Sequence, residues 1–510
     1  MKKFLARTLT IGLSLGALTG VPNIGGVENI SASVAYAAEL KFDVTQGVEK
    51  TLIYEGRAVN FVAYENIFYV SEPAWEGQKL SVYIPAEYLR GGKINGYTAK
   101  TAPIFLPNGV GGYMPGGILA PTDKDKMSGS PNASLVALSR GLVVVSPAIR
   151  GRTTTMNGVY VGKAPALIVD YKAAVRWIRF NRDRLPAGDV EKIISNGTSA
   201  GGALSAALGA TGNAPEYQTY LQSLGAADER DDIFASSDYC PITNLENADA
   251  AYEWIFYGEN KYFPAMWQMK RNTSAEDANN PVAVKKASEM TAEEIRVSKI
   301  LHDAFPDYVN SLNLRDEHGN ILTLDKNGDG SFKNFVESKY IESAQWALNN
   351  GKDLSGIDWV KIKNGRVIGV DLKKYPAAVT RMKAAPAFDK LDLSSAENDE
   401  FGDSMNNPKH FSATNIYSDG EFANEGLVAL LNPLNFIGRS DVTTAKNFRI
   451  RHGAADRDTS LAIPAILALK LQNNGVNVDF FSPWGRGHAG DYDLPELFDW
   501  IDKICKDKNS

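Results

Sequence analysis

Residues 197–201 read Gly-Thr-Ser-Ala-Gly, between the apolar run 192–196 and a small-residue helical stretch at 202–208. A strand that runs through G-x-S-x-G into a helix forces its serine into a sharp turn, and the glycines leave room where a Cβ would clash. Such a turn lifts a hydroxyl clear of a sheet, so Ser199 is a candidate nucleophile. Neutral serine is a weak nucleophile; it needs a base, and the base needs an orienting carboxylate. The chain has five histidines: His302, His318, His410, His452 and His488. His488 sits in the glycine-rich segment Trp484-Gly485-Arg486-Gly487-His488-Ala489-Gly490, after the last strand candidate and before a closing helix. His302 and His318 fall in a polar segment and read as surface residues. His410 is a minor candidate for a site contact, and His452 reads as structural.

The carboxylate should close the preceding strand, and Asp456 does so in His452-Gly453-Ala454-Ala455-Asp456-Arg457-Asp458. Asp458 competes for the role; if the loop is extended, both carboxylates share one side. A developing oxyanion needs preorganised N–H donors. Two sources are available: Ala200, directly after the serine, and the glycine loop Asn108-Gly109-Val110-Gly111-Gly112-Tyr113, with Gly112 the favoured donor. Serine, then aspartate, then histidine, with a glycine loop ahead of all three, is the chain order of an α/β-hydrolase.

That fold needs a sheet to hold these ends together, and the sequence supplies strand candidates in order. Residues 60–70 and 79–84 alternate like antiparallel strands, whereas 102–107, 141–147, 233–242, 447–453 and 478–482 read as buried strands. Residues 165–180 and 494–504 have helical periodicity. Strands alternating with helices predict an α/β fold with a mostly parallel sheet flanked by helices. From 244 to 425 the chain turns polar and helical, which predicts a lid domain inserted over the carboxyl ends of the strands, where open α/β sheets bind ligands. A solvated decoration is the alternative. The core is then 38–243 and 426–510.

The 510 residues are 44% apolar and 22% charged, with net charge −6, which suits a globular chain and gives no electrostatic case for nucleic acid. Lys2, Lys3 and Arg7, an apolar stretch from Leu9 to Val21, and Ala35-Tyr36-Ala37 predict a signal peptide over 1–37, hence export to the envelope or medium with no span in the mature chain. Cys240 and Cys505 are the two cysteines; export permits a disulfide, but two buried thiols are the simpler reading. Asp325-Lys326-Asn327-Gly328-Asp329-Gly330 matches the first half of a calcium loop, through Asp325, Asn327 and Asp329. Position twelve is Val336, with Glu337 one residue late, and a polar turn explains the segment equally well.

The glycine loop 108–116, the elbow 197–205, the D-x-D at Asp456 and Asp458, and Gly487-His488 together resemble the bacterial tannases over nearly all of the mature chain. The resemblance implies an α/β-hydrolase core with a helical lid inserted after the sixth strand. It implies cofactor-independent hydrolysis of galloyl esters, such as tannins and alkyl gallates, to gallic acid. Ser199, Asp456 and His488 would be the triad. Asp458 would contact the galloyl hydroxyls, with Lys383 and Glu397 from the lid end and Ile242 against the ring. Glu400 is the nearest rival of Glu397. Fungal tannases and feruloyl esterases flank the serine and histidine with paired cysteines; Thr198 and Gly487 stand there in this chain. Two alternatives stay open: a feruloyl or other hydroxycinnamoyl esterase on the same core, and a catalytically silent binding protein of the same fold.

Overall fold

The computed structural model describes residues 40–126, 128–264, 287–414, 416–417 and 420–507. The expected signal segment lies outside them. Nine strands form the main sheet: β1 Val48–Tyr54, β2 Arg57–Phe68, β3 Lys79–Pro85, β4 Pro103–Pro107, β5 Val143–Pro147, β6 Asp189–Thr198, β7 Ala235–Tyr239, β8 Asn447–Arg451 and β9 Asn477–Phe481. Their spatial order is β1-β2-β3-β5-β4-β6-β7-β8-β9. β1 to β3 pair antiparallel, as do β3 and β5; from β5 to β9 every pairing is parallel. Strands β4, β5, β7 and β8 are buried at every position, the consequence of helices on both faces of a parallel sheet.

Seven helices matter to the site and its frame before the last strands: α1 Ala133–Ser139, α2 Ala166–Phe180, α3 Ala200–Ala210, α4 Leu245–Phe256, α5 Ala292–Ser311, α6 Ser331–Asn349 and α7 Ala396–Glu400. Two more follow, α8 Ala462–Asn473 and α9 Leu494–Lys506. α3 follows the serine directly and packs on β6 and β7, while α2 packs on α3. α9 is amphipathic, burying Leu497, Phe498, Trp500, Ile501 and Ile504.

Between β7 and β8 the chain leaves the sheet. This stretch carries α4 to α7 and two small hairpins, Lys261–Tyr262 with Ser288–Glu289 and Val360–Lys363 with Arg366–Val370. α4 packs on both α5 and α8, joining the inserted stretch to the core. The insertion follows the seventh strand, not the sixth as the resemblance implies. The extra strand is β1, an exposed edge strand paired among the described residues only with β2, whose sequence VEKTLIY shows no buried face.

Candidate active site

The elbow is built as its glycines require. Ser199 has φ 61 and ψ −123, a left-handed conformation that costs strain in a residue with a side chain. Its N–H donates to Tyr239 O at 2.9 Å, so β7 holds the turn from the side. Cβ atoms at Gly197 and Gly201 would come within 2.3 Å of Gly201 O and 2.6 Å of Val110 O. Only glycine allows these approaches. Asn108 clamps the turn: its Nδ2 donates to Asn196 O at 3.1 Å, Gly201 O at 3.0 Å and Ser205 Oγ at 3.1 Å. Sequence reasoning placed Asn108 in the glycine loop but assigned it no role.

The loops after β8 and β9 are stitched together. Ala454 N–H donates to Pro483 O at 2.9 Å and Ala455 N–H to Arg486 O at 2.8 Å. This brings Asp456 Oδ2 to 2.8 Å from His488 Nδ1. Asp456 also accepts from the N–H groups of Asp458 and Thr459, at 2.8 and 3.2 Å, and from Thr459 Oγ1 at 3.3 Å. Burial opposes the charge of Asp456, but His488 and these donors hold its carboxyl well below the usual range. Since Asp456 can only accept, Nδ1 of His488 carries the proton. Burial alone would lower the His488 pKa. The Asp456 and Asp458 carboxylates outweigh it and raise the imidazole well above its ordinary value. Nε2 of His488 has no hydrogen-bond partner among the described residues. The His488 loop also abuts the elbow: a Cβ at Gly490 would overlap Thr198 Oγ1, and Cys240 Sγ lies 3.5 Å from Ala489 O.

Beside this pair lies a second one. Lys383 Nζ meets Asp458 Oδ1 at 2.8 Å and sits 3.9 Å from the centre of the Phe388 ring. Burial opposes both charges, yet each partner outweighs it, raising Lys383 and lowering Asp458; Glu397 adds to the pull on Lys383. Burial raises the Glu397 carboxyl, partly offset by Lys383. Glu400, its rival, is fully buried, has no partner for either oxygen among the described residues, and is raised well above the carboxylate range. Ile242 is buried with its carbonyl 3.5 Å from Tyr113 Oη. Ala200 opens α3, where backbone N–H groups have no intrahelical acceptor. Gly112 is exposed, with φ +53.

Two tyrosines from the inserted stretch frame the site, and sequence reading found neither. Tyr375 Oη donates to Ala454 O and Asp456 O, both at 3.1 Å. Tyr252 Oη donates to Arg457 O at 2.9 Å and accepts from Lys383 N–H at 3.2 Å, linking the two residues' loops. Behind Lys383, Arg381 and Glu253 form a fully buried ion pair, and Arg381 Nε donates to Lys383 O at 2.7 Å. A buried tyrosine or arginine at long sequence separation leaves no local pattern to read.

His410 pairs with Asp389 at 2.7 Å and stacks on Tyr417, and the same Asp389 oxygen accepts from Asn398 Nδ2 at 2.7 Å, next to Glu397. His318 is exposed, while His302 stacks on Tyr257 with only 16% of its side chain exposed. His452 is buried 3.7 Å from Asp456, and burial lowers it to about 4. Its potential donor atoms, with those of Cys240 and Asp456, lie within 4.8 Å of one another, but Asp456 is already engaged by His488. Both cysteines are free and buried. In the Asp325 loop, Asp325 Oδ1 accepts from the N–H groups of Asn327 and Asp329, and Asp329 pairs with Lys333. Val336, at the twelfth position, is buried inside α6. These are the bonds of a stapled turn, and they favour that reading over calcium.

The Fusobacterium nucleatum tannase structure is 48% identical to this chain, covers 92% of it and 99% of its own length, and superposes with a TM-score of 0.85. The chain belongs to the bacterial tannase family. The Lactobacillus plantarum tannin acyl hydrolase in its native form is 44% identical, with coverage of 92% and 99% and a TM-score of 0.84. A tannin acyl hydrolase in complex with ethyl gallate gives 44% identity, coverage of 92% and 100%, and a TM-score of 0.84. A family profile described as BD-FAE matches residues 113–291. No match was found among curated proteins. As a tannase-family chain the protein is an ester hydrolase, and no helix among the described residues is long and apolar enough to cross a membrane.

Proposed function

We propose that this protein hydrolyses galloyl ester bonds of tannins and alkyl gallates, releasing gallic acid through a galloyl-serine intermediate. The observation that carries the reading is the convergence of two charged pairs. His488 with Asp456 and Lys383 with Asp458 are set by a loop in which the two aspartates stand two residues apart. One pair suits proton transfer; the other offers a cation and a carboxylate to adjacent phenols. Membership of the tannase family, with a relative described in complex with ethyl gallate, supports the choice of acyl group.

Ser199 Oγ attacks the galloyl carbonyl and His488 Nε2 takes its proton. Asp456 fixes the imidazole tautomer and stabilises its cation. The N–H groups of Ala200 and Gly112 receive the oxyanion. Collapse expels the alcohol, protonated by His488, and water then attacks the acyl-serine with the same base. Asp458, Lys383 and Glu397 hold the ring hydroxyls against Ile242. Residues 244–425 act as the lid that supplies Lys383 and Glu397 to the core of 38–243 and 426–510. Residues 1–37 direct export. The chemistry needs no cofactor.

A panel of aryl esters differing in one ring hydroxyl tests this reading. Methyl gallate should turn over fastest. A site that hydrogen-bonds a hydroxyl rejects the analogue lacking it by up to about 10⁴–10⁵. Faster hydrolysis of methyl ferulate, or indifference to ring hydroxyls, would replace galloyl with hydroxycinnamoyl or a non-aryl acyl group.

A further inference from the structure

The tip of the proposed oxyanion loop, Gly111 and Gly112, is exposed between the buried Val110 and Tyr113. A Cβ at Gly111 or Gly112 would meet nothing within 4 Å, and Gly112 and Tyr113 both have positive φ, at 53 and 57. Three successive carbonyls hold its shape instead. Gly111 O accepts from Met114 N–H at 3.0 Å, Gly112 O from Arg152 Nε at 3.0 Å, and Tyr113 O from Arg152 N–H at 2.8 Å. One residue therefore fixes two of the three peptides.

The other end of the same guanidinium leaves the core. Arg152 Nη1 donates to Asp399 Oδ2 at 2.5 Å. Asp399 lies on α7, two residues from Glu397. Lys163, with 7% of its side chain exposed, anchors the same helix: Nζ pairs with the Asp399 carboxylate and donates to Asp399 O at 2.9 Å. A single planar fork thus spans from the loop facing the reacting carbonyl to the helix facing the ring. Lysine, a point charge with rotatable donors, cannot hold both ends in that fixed geometry.

We propose that Arg152 is a positioning residue that couples recognition of the substrate ring at α7 to the shape of the oxyanion loop. The proposal rests on the reading that Glu397 contacts ring hydroxyls and that Gly112 donates to the oxyanion. Ordering of α7 by a bound ring is passed through Asp399 and Arg152 to the Gly112 carbonyl. A missing ring hydroxyl then lowers kcat as well as raising KM, because the loop is less well held in the transition state.

Arg152→Ala and Arg152→Lys are compared with the native protein on methyl gallate and methyl 3,4-dihydroxybenzoate. Rates are normalised to active sites titrated with a fluorophosphonate. No release of gallic acid by the native protein would overturn the galloyl reading itself, and the absence of a kcat preference for methyl gallate would overturn the coupling, before any variant is made. Given that preference, Arg152→Ala should lower kcat on gallate at least about tenfold with little change in KM, against the roughly 10²–10³ for losing an oxyanion donor outright. The kcat ratio between the two esters should collapse toward one, and Arg152→Lys should recover only part of it. Equal normalised losses on both esters would mean that Arg152 serves the fold alone. An unchanged kcat on gallate would overturn the coupling.

Discussion

Asp458→Asn keeps the size of the side chain and removes the charge that Lys383 Nζ meets at 2.8 Å. In the proposed complex a galloyl phenol donates to that carboxylate. Hydrogen bonds to a charged group contribute about 1.5–3 kcal/mol. At 1.4 kcal/mol per decade, kcat/KM on methyl gallate should fall about 10–150-fold. On 4-nitrophenyl acetate, which has no acyl ring, the same change should cost less than about threefold at a pH where His488 is neutral. The structure adds a second signature. Asp458 is one of the two carboxylates that raise the His488 pKa. Without it, the acid limb of the kcat/KM profile should move to lower pH for both esters. Steady-state kinetics across a pH series reads both effects at once. Equal losses on the two esters would refute a phenol contact at Asp458. An unmoved acid limb would refute the electrostatic link to His488.

Further outcomes follow from the same geometry. The base must be neutral, and its pKa is raised, so kcat/KM of the native protein should rise through a pKa above the ordinary histidine value of about 6.5. Asp456→Asn should bring that limb down while lowering kcat on the order of 10⁴-fold, as in other triads, which stopped-flow or long-time assays can resolve. The sign for stability is opposite: a raised folded pKa contributes fully below about pH 6.5 and is lost as pH rises through the folded value, which thermal melts across pH will register. Gly201→Ala would place a Cβ 2.6 Å from both Asn108 Oδ1 and Val110 O. It should cost about 1–3 kcal/mol and lower kcat through the displaced glycine loop; an unchanged melting temperature and kcat would show that the clamp is slack.

The parts of this fold that were legible in the sequence are those where one local pattern has one physical cause. β4 and β5 are buried on both faces and read as apolar runs, whereas β7 and β8, equally buried, carry Ser236, Ser237, Asp238, Arg449 and Arg451 among their apolar residues. β1 was missed because an edge strand exposed on both faces keeps no apolar alternation. α8 was missed for the opposite reason: Ala462 to Leu469 are buried on all sides, so the segment shows no amphipathic period. At the site, the turn at Ser199 and the Asp456–His488 pair were readable because chain order and glycine spacing survive in one dimension. Tyr252, Tyr375, Arg152 and the clamp by Asn108 act across long sequence separations. Their residue types are common, and only the fold shows what they touch. His410 looked available as an isolated histidine, but the sequence could not show that Asp389 already holds it.

The most direct test of the account is the release of gallic acid from methyl gallate by the native protein and by Ser199→Ala, with gallate binding measured on both. The account predicts turnover by the native protein, none above background by the variant, and similar gallate affinity for the two. Turnover by Ser199→Ala near the native rate, or no gallic acid from the native protein, would contradict it.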